Sequence, residues 1–186
     1  MRSIVFGFLL LILMFICGCS YLQPHPDTCD HSHPSCSREL NNEEPFVLDT
    51  INSEKHIDIC ACKPLNNSHI TVEKDQEYQF QIIELGEGWK DGSIASSLDD
   101  PEGGWTNPFM KIIGWFGSAY KRSSEAPWYA LVGSVNNDEY TFPVFNEDGN
   151  ITKIEQSGKL YFFANDMTGR YFNNKGAIKL LITRKN

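Results

Sequence analysis

The chain has 186 residues, 41% of them hydrophobic, and 24 Asp and Glu against 16 Lys and Arg give it a formal net charge of −8. That length holds one domain with a full core, and an acidic balance without a basic stripe excludes a nucleic-acid binder held by phosphate contacts. G-x-S-x-G, H-E-x-x-H and the P-loop are all missing from the chain, which removes the hydrolase, zinc-peptidase and nucleotide-hydrolysing classes that those motifs mark.

Residues 1–18 carry Arg2 and then an apolar run from Ile4 to Ile16. The run is too short and too early for a comfortable spanning helix and has the layout of a secretory signal. Ile16-Cys17-Gly18-Cys19 resembles a bacterial lipobox, with small Gly18 directly before a Cys and a polar segment after it. On that resemblance residues 1–18 are a lipoprotein signal peptide and Cys19 is the lipidated residue. Acyl chains there would hold the protein at a membrane of the bacterial cell envelope without a spanning helix. A plain signal peptide and an uncleaved anchor are the alternatives. Loss of Arg2 with the signal takes the net charge from −8 to −9, so lipidation rather than charge must supply any attachment to anionic lipid.

Residues 19–45 read as a tether, broken by Pro24, Pro26 and Pro34 and mostly polar. The run from His25 to Cys36 holds His, Asp and Cys side chains that suit a transition metal. An exported chain favours disulfides instead. Cys29, Cys36, Cys60 and Cys62 remain as candidates once Cys17 is removed and Cys19 is acylated, and four cysteines allow three pairings. Cys60 and Cys62 lie two apart in a strand-like run and face the same way. They are therefore expected to pin the tether through Cys29 and Cys36.

The domain proper is read as residues 46–186. Short runs rich in β-branched and aromatic residues recur at 46–51, 57–62, 69–72, 77–83, 129–135, 141–145, 160–164 and 178–183, with turn formers between them. Glu77-Tyr78-Gln79-Phe80-Gln81-Ile82 alternates polar and apolar, as a half-buried strand does. No long stretch has helical periodicity, so the fold class is all-β, a sandwich or barrel. The segment from Asp91 to Pro127 reads as irregular but is too aromatic for disorder, carrying Trp105, Phe109, Trp115, Phe116 and Tyr120. Trp105 and Trp115 are candidates for stacking on a sugar face or for sealing the core.

The stretch from Asn165 to Gly176, Asn-Asp-Met-Thr-Gly-Arg-Tyr-Phe-Asn-Asn-Lys-Gly, lies between the last two strand-like runs and reads as a hairpin connection. Its Asp166, Asn173 and Asn174, with intervening carbonyls, are the oxygen donors that a hard cation takes in sets of about six to eight. The same residue types also build ordinary turns. No D-x-[DN]-x-[DN]-G run is present, so the loop is not an EF-hand.

In order, N-D-x-x-G-x-x-x-N-N-x-G, the Gly88-Trp89 pair, Pro127-Trp128-Tyr129-Ala130-Leu131-Val132-Gly133-Ser134-Val135, Phe142-Pro143-Val144 and Ser157-Gly158-Lys159-Leu160-Tyr161 resemble the PA-IL-like galactose-binding lectin family across roughly residues 69–186. The resemblance implies a jelly-roll-like β-sandwich of two antiparallel sheets and a non-enzymatic, Ca2+-dependent carbohydrate-binding protein with a galactose-like ligand. It implies a Ca2+ shell from Asp166, the backbone oxygen of Arg170, Asn173, Asn174 and the backbone oxygen of Gly92. Sugar hydroxyls would complete the shell, with Asp166 and Asn173 also bonding the sugar and Trp89 packed beside the site. Trp105 is the further sugar-contact candidate. The Arg170 side chain either folds outward or reaches Asp166. No His follows His69, so the His with which the family contacts galactose has no counterpart. The rival reading is a protein-interaction or toxin-inhibiting envelope lipoprotein that uses the fold without sugar. A glycosidase built on two of the loop carboxylates at 99, 100, 102, 138, 139, 147 and 148 ranks last.

Overall fold

The structure, a computed structural model, describes residue 36 and residues 46–85, 89–97, 103–144 and 151–186. The signal at 1–18, Cys19, Cys29 and the tether apart from Cys36 lie outside the described residues, as does Gly88.

Alternation writes the strands. In β3 (Asn66–Val72) residues 66, 68, 70 and 72 are buried and those between are not. In β4 (Glu77–Glu84) Tyr78 and Phe80 are buried between polar neighbours. The first main sheet runs β1 (Phe46–Val47), β3, β10 (Gly158–Ala164), β7 (Leu131–Val135), β8 (Tyr140–Pro143); the second runs β2 (Glu54–Cys60), β12 (Ala177–Arg184), β4, β9 (Ile151–Lys153). A small third sheet joins β11 (Asn174–Lys175), β5 (Lys90–Asp91) and β6 (Ile94–Ala95). Leu160 pairs with Val135 in the first sheet and Ile182 with Phe80 in the second.

One continuous core fills the space between the main sheets. Ile70, Val72, Leu131, Leu160 and Phe162 come from one side and Ile59, Phe80, Ile178, Leu180 and Ile182 from the other. Phe80 meets Phe162 edge-on across this layer, with centroids 5.6 Å apart. The molecule is thus an all-β sandwich. β7 is buried along its whole length, its Val132 packing in a second cluster with Ala126, Ala130, Phe163 and Tyr171. The Arg122 guanidinium caps that second cluster, 3.8 Å from the Phe163 ring centroid.

Three expectations change. The segment read as irregular contains helix α1 (Pro108–Phe116), started by Asn107, whose side chain accepts from Phe109 N, with Pro108 in the first turn. β1 pairs parallel to β3, so the first sheet is antiparallel except at that edge. The connection 165–176 is not a hairpin: β10 and β12 belong to different main sheets, and the loop crosses between them at one end of the sandwich.

Cys36 is bonded to Cys60, with Cα atoms 5.7 Å apart, which fastens residue 36 to the end of β2. Cys62, expected inside a strand, follows the end of β2 and is also disulfide-bonded.

Candidate functional site

The crossover loop carries its polar residues to fixed places. Asn165 is fully buried and spends its amide on structure. Its Nδ2 donates to the carbonyls of Ser123, Ala126 and Pro127, and its Oδ1 accepts from Ser123 N. This clamps the segment before β7 against the loop and leaves Asp166 as the first residue free to face a ligand. A 3-10 turn over Tyr171–Asn173 then brings the two amides round. The Tyr171 hydroxyl donates to the Ala164 carbonyl and ties this turn back to the end of β10.

Asp166, Asn173 and Asn174 converge. Asp166 is 4% exposed; one carboxylate oxygen accepts from Met167 N at 2.6 Å and the other from Asn174 Nδ2 at 3.0 Å. Asn174 Nδ2 also donates to the Ala61 carbonyl. Asn173 Nδ2 donates to Asp91 Oδ1 at 2.7 Å. Each amide thus uses its nitrogen, and the oxygens of both, Asn173 Oδ1 and Asn174 Oδ1, are buried with no hydrogen-bond donor. A buried acceptor left unpaired costs about 1–3 kcal/mol, and two on successive residues, each amide bonded to a carboxylate, make a strongly electronegative patch. An ordinary turn satisfies such groups locally.

Gly92 belongs to the same place. Its N–H donates to the Asn173 carbonyl, its φ is +60°, and a Cβ there would touch Asn173 Nδ2 at 3.5 Å. Arg170 opens the 3-10 turn. Its guanidinium lies over the Phe172 ring, 5.6 Å from the centroid, and acts on Asp166 and Asp91 through space, favouring their ionised forms. The side chain therefore turns along the loop surface. Trp89 is buried beside the site, edge-on to Tyr129. Trp105 is also buried, its ring parallel to Trp128 at 5.1 Å, and its indole N–H lies near enough to Asp91 to favour the carboxylate without meeting normal hydrogen-bond geometry.

Burial, reinforced by the charge of Asp91, pushes the Asp166 carboxyl up to about 6 against the hydrogen bonds from Met167 and Asn174. Burial also raises Asp91, against opposing contributions from Asn173, Arg170 and Trp105. Two desolvated carboxylates and two unpaired amide oxygens fit a hard dication, which accepts oxygen donors of both kinds. Among the described residues no three His, Cys, Asp or Glu side chains gather as a metal cluster; the donors at this loop are carboxylate and amide oxygens, which are hard ligands.

Two supporting residues were not foreseen. Asp91 sits next to the expected backbone ligand Gly92, and an acid in that position was the available signal. Tyr129 takes φ +65°, strained for a non-glycine residue. It is held there by its N–H to the Asn165 carbonyl and its hydroxyl to the Lys90 carbonyl. It thereby links the clamp at Asn165 to the strand that carries Asp91.

Compared with known proteins, the chain matches no family model and no curated protein. Among solved structures it is similar to one described as the EclA N-terminal domain, a PllA-like lectin, with a TM-score of 0.47 and 15% identity over 70% of this chain and 95% of that one.

Proposed function

We propose that the protein binds carbohydrate through a Ca2+ ion held at the sheet-crossing loop, and that it does so as a lipid-anchored protein of the bacterial envelope. The observation that carries the ion is the pair of buried, donorless amide oxygens on Asn173 and Asn174 beside Asp166 and Asp91. Asp166, Asn173 and Asn174 would hold the cation by side chain, and Arg170 and Gly92 by backbone carbonyl. A bound Ca2+ supplies open coordination positions that vicinal sugar hydroxyls can occupy in place of water. Asp166 can accept a hydroxyl proton in a charge-assisted bond. In this scheme Trp105 acts as a wall that supports Asp91, since its ring is stacked on Trp128. The anchor rests on the lipobox-like Cys19 and the apolar run before it.

Calorimetric Ca2+ titration tests the site. Wild-type protein is expected to bind one ion, Asp166→Ala and Asn173→Ala to bind at least about tenfold more weakly (about 1.4 kcal/mol), and EDTA to lower the melting temperature and abolish glycan-array binding. An array without signal in Ca2+ would count against sugar recognition.

One observation favours the rival, protein-interaction reading. α1 exposes Phe109, Ile112, Trp115 and Phe116, each at 60% or more, a contiguous apolar face of the kind that marks interaction sites. Capture of one tight protein partner that EDTA leaves bound and Trp115→Ala releases would establish it.

A further inference from the structure

We infer that Asp91, from outside the terminal loop, is the second carboxylate of the cation site, supplying its second negative charge and setting the orientation of Asn173. The inference rests on the cation-binding reading above.

Asn173 can present either end of its amide. Its Nδ2 is taken by Asp91 Oδ1 at 2.7 Å, so Oδ1 is the end left buried without a donor. Asn174 repeats the arrangement with the other acid. Its Nδ2 is taken by Asp166 and by the Ala61 carbonyl, while its Oδ1, on a residue 1% exposed, has no donor. Two carboxylates thus turn two amides the same way, each consuming an N–H end and leaving an acceptor. The result is a cluster of acceptors with a formal charge of −2, which a divalent cation balances and a monovalent one does not.

Asp91 is placed by the fold and not by loop chance. Its strand β5 pairs with β11, setting Asp91 opposite Asn174 and Lys90 opposite Lys175. The Tyr129 hydroxyl holds the Lys90 carbonyl from the core side, and Gly92 N holds the Asn173 carbonyl from the loop side. The Arg170 guanidinium lies over Phe172 and acts on Asp91 through space.

The experiment compares wild-type protein with Asp91→Asn on the full chain, using CaCl2 in calorimetry and terbium luminescence excited through tryptophan. Asp91→Asn keeps the shape and removes the charge. Ca2+ affinity is expected to fall at least about tenfold, while the melting temperature of EDTA-treated protein stays the same or rises, because a desolvated carboxylate has been taken away. Unchanged affinity in the variant, with wild type binding, would overturn the inference alone. So would a lower melting temperature in EDTA with affinity kept within a few-fold, since that is the pattern of a merely structural residue. Wild-type protein that binds neither Ca2+ nor terbium overturns the cation reading and the inference together.

Discussion

At the scale of single residues, burying the carboxyls of Asp166 and Asp91 costs stability at neutral pH, and a pH series exposes that cost. Asp166 titrates at about 6 in the fold, against 3.8 for its ordinary value, because burial and Asp91 disfavour its charge. Asp91 is raised for the same first reason. A carboxyl with a raised folded value binds more protons in the native state than in the unfolded one. Its stabilising effect is therefore complete below pH 3.8 and is lost as pH rises through about 6. Without metal, urea unfolding should show a protein about 1–2 kcal/mol more stable near pH 5 than near pH 7.5, and Asp166→Asn should flatten that difference. With Ca2+ present the trend should reverse, since the cation needs both carboxylates ionised. Asp166, Asn173 and Asn174 were legible in the sequence because they lie within nine residues of one loop. Asp91 was not, because it reaches Asn173 across 82 residues of chain through the β5–β11 pairing.

At the scale of elements, what could be read depended on whether burial had a period. β4, β10 and β12 stand close to where alternation and apolar runs put them. β5, β6 and β11 are two residues each and carry no pattern to read. α1 escaped for a different reason. Its nine residues are apolar nearly all round, with Phe109, Ile112, Trp115 and Phe116 exposed, so no polar face marks a helical period. Only the Asn107-Pro108 start was written locally. What docks α1 is Gly114, whose carbonyl accepts from Trp128 Nε1 at 2.7 Å. Gly114→Ala should raise helix propensity by up to about 1 kcal/mol. The added Cβ would meet Trp128 Cδ1 at 2.5 Å and Trp105 at 3.2 Å, both parts of stacked rings with little room to give. Overpacking of this kind costs about 1–3 kcal/mol, so clash should win. The variant is expected to melt lower than wild type, with reduced near-ultraviolet tryptophan ellipticity. A higher melting temperature would mean that α1 is not seated on Trp128.

At the scale of the whole molecule, the crossover loop joins the two main sheets at one end, and the β11–β5 pair and the Cys36–Cys60 bond lie at that end. Cys60 pairs with Ala177, the first residue of β12, and the next residue, Ala61, donates its N–H to the Gly176 carbonyl and accepts from the Asn174 amide at its own carbonyl. The disulfide is therefore close to the site, and its removal separates two ideas about what it does. If it acts on the unfolded chain, it closes a loop of sequence separation 24 and contributes about 3 kcal/mol of lost chain entropy. The native site would be indifferent to it, because Asn174 is already held by Asp166 and by pairing with Asp91. Replacing both Cys36 and Cys60 by Ser, which leaves the Cys62 bond in place, should then lower the urea midpoint, raise the m-value as the unfolded ensemble expands, and leave Ca2+ affinity within a few-fold. A fall in affinity of tenfold or more, at unchanged m, would instead show that the bridge holds Ala61 and the amide of Asn174 in their binding geometry.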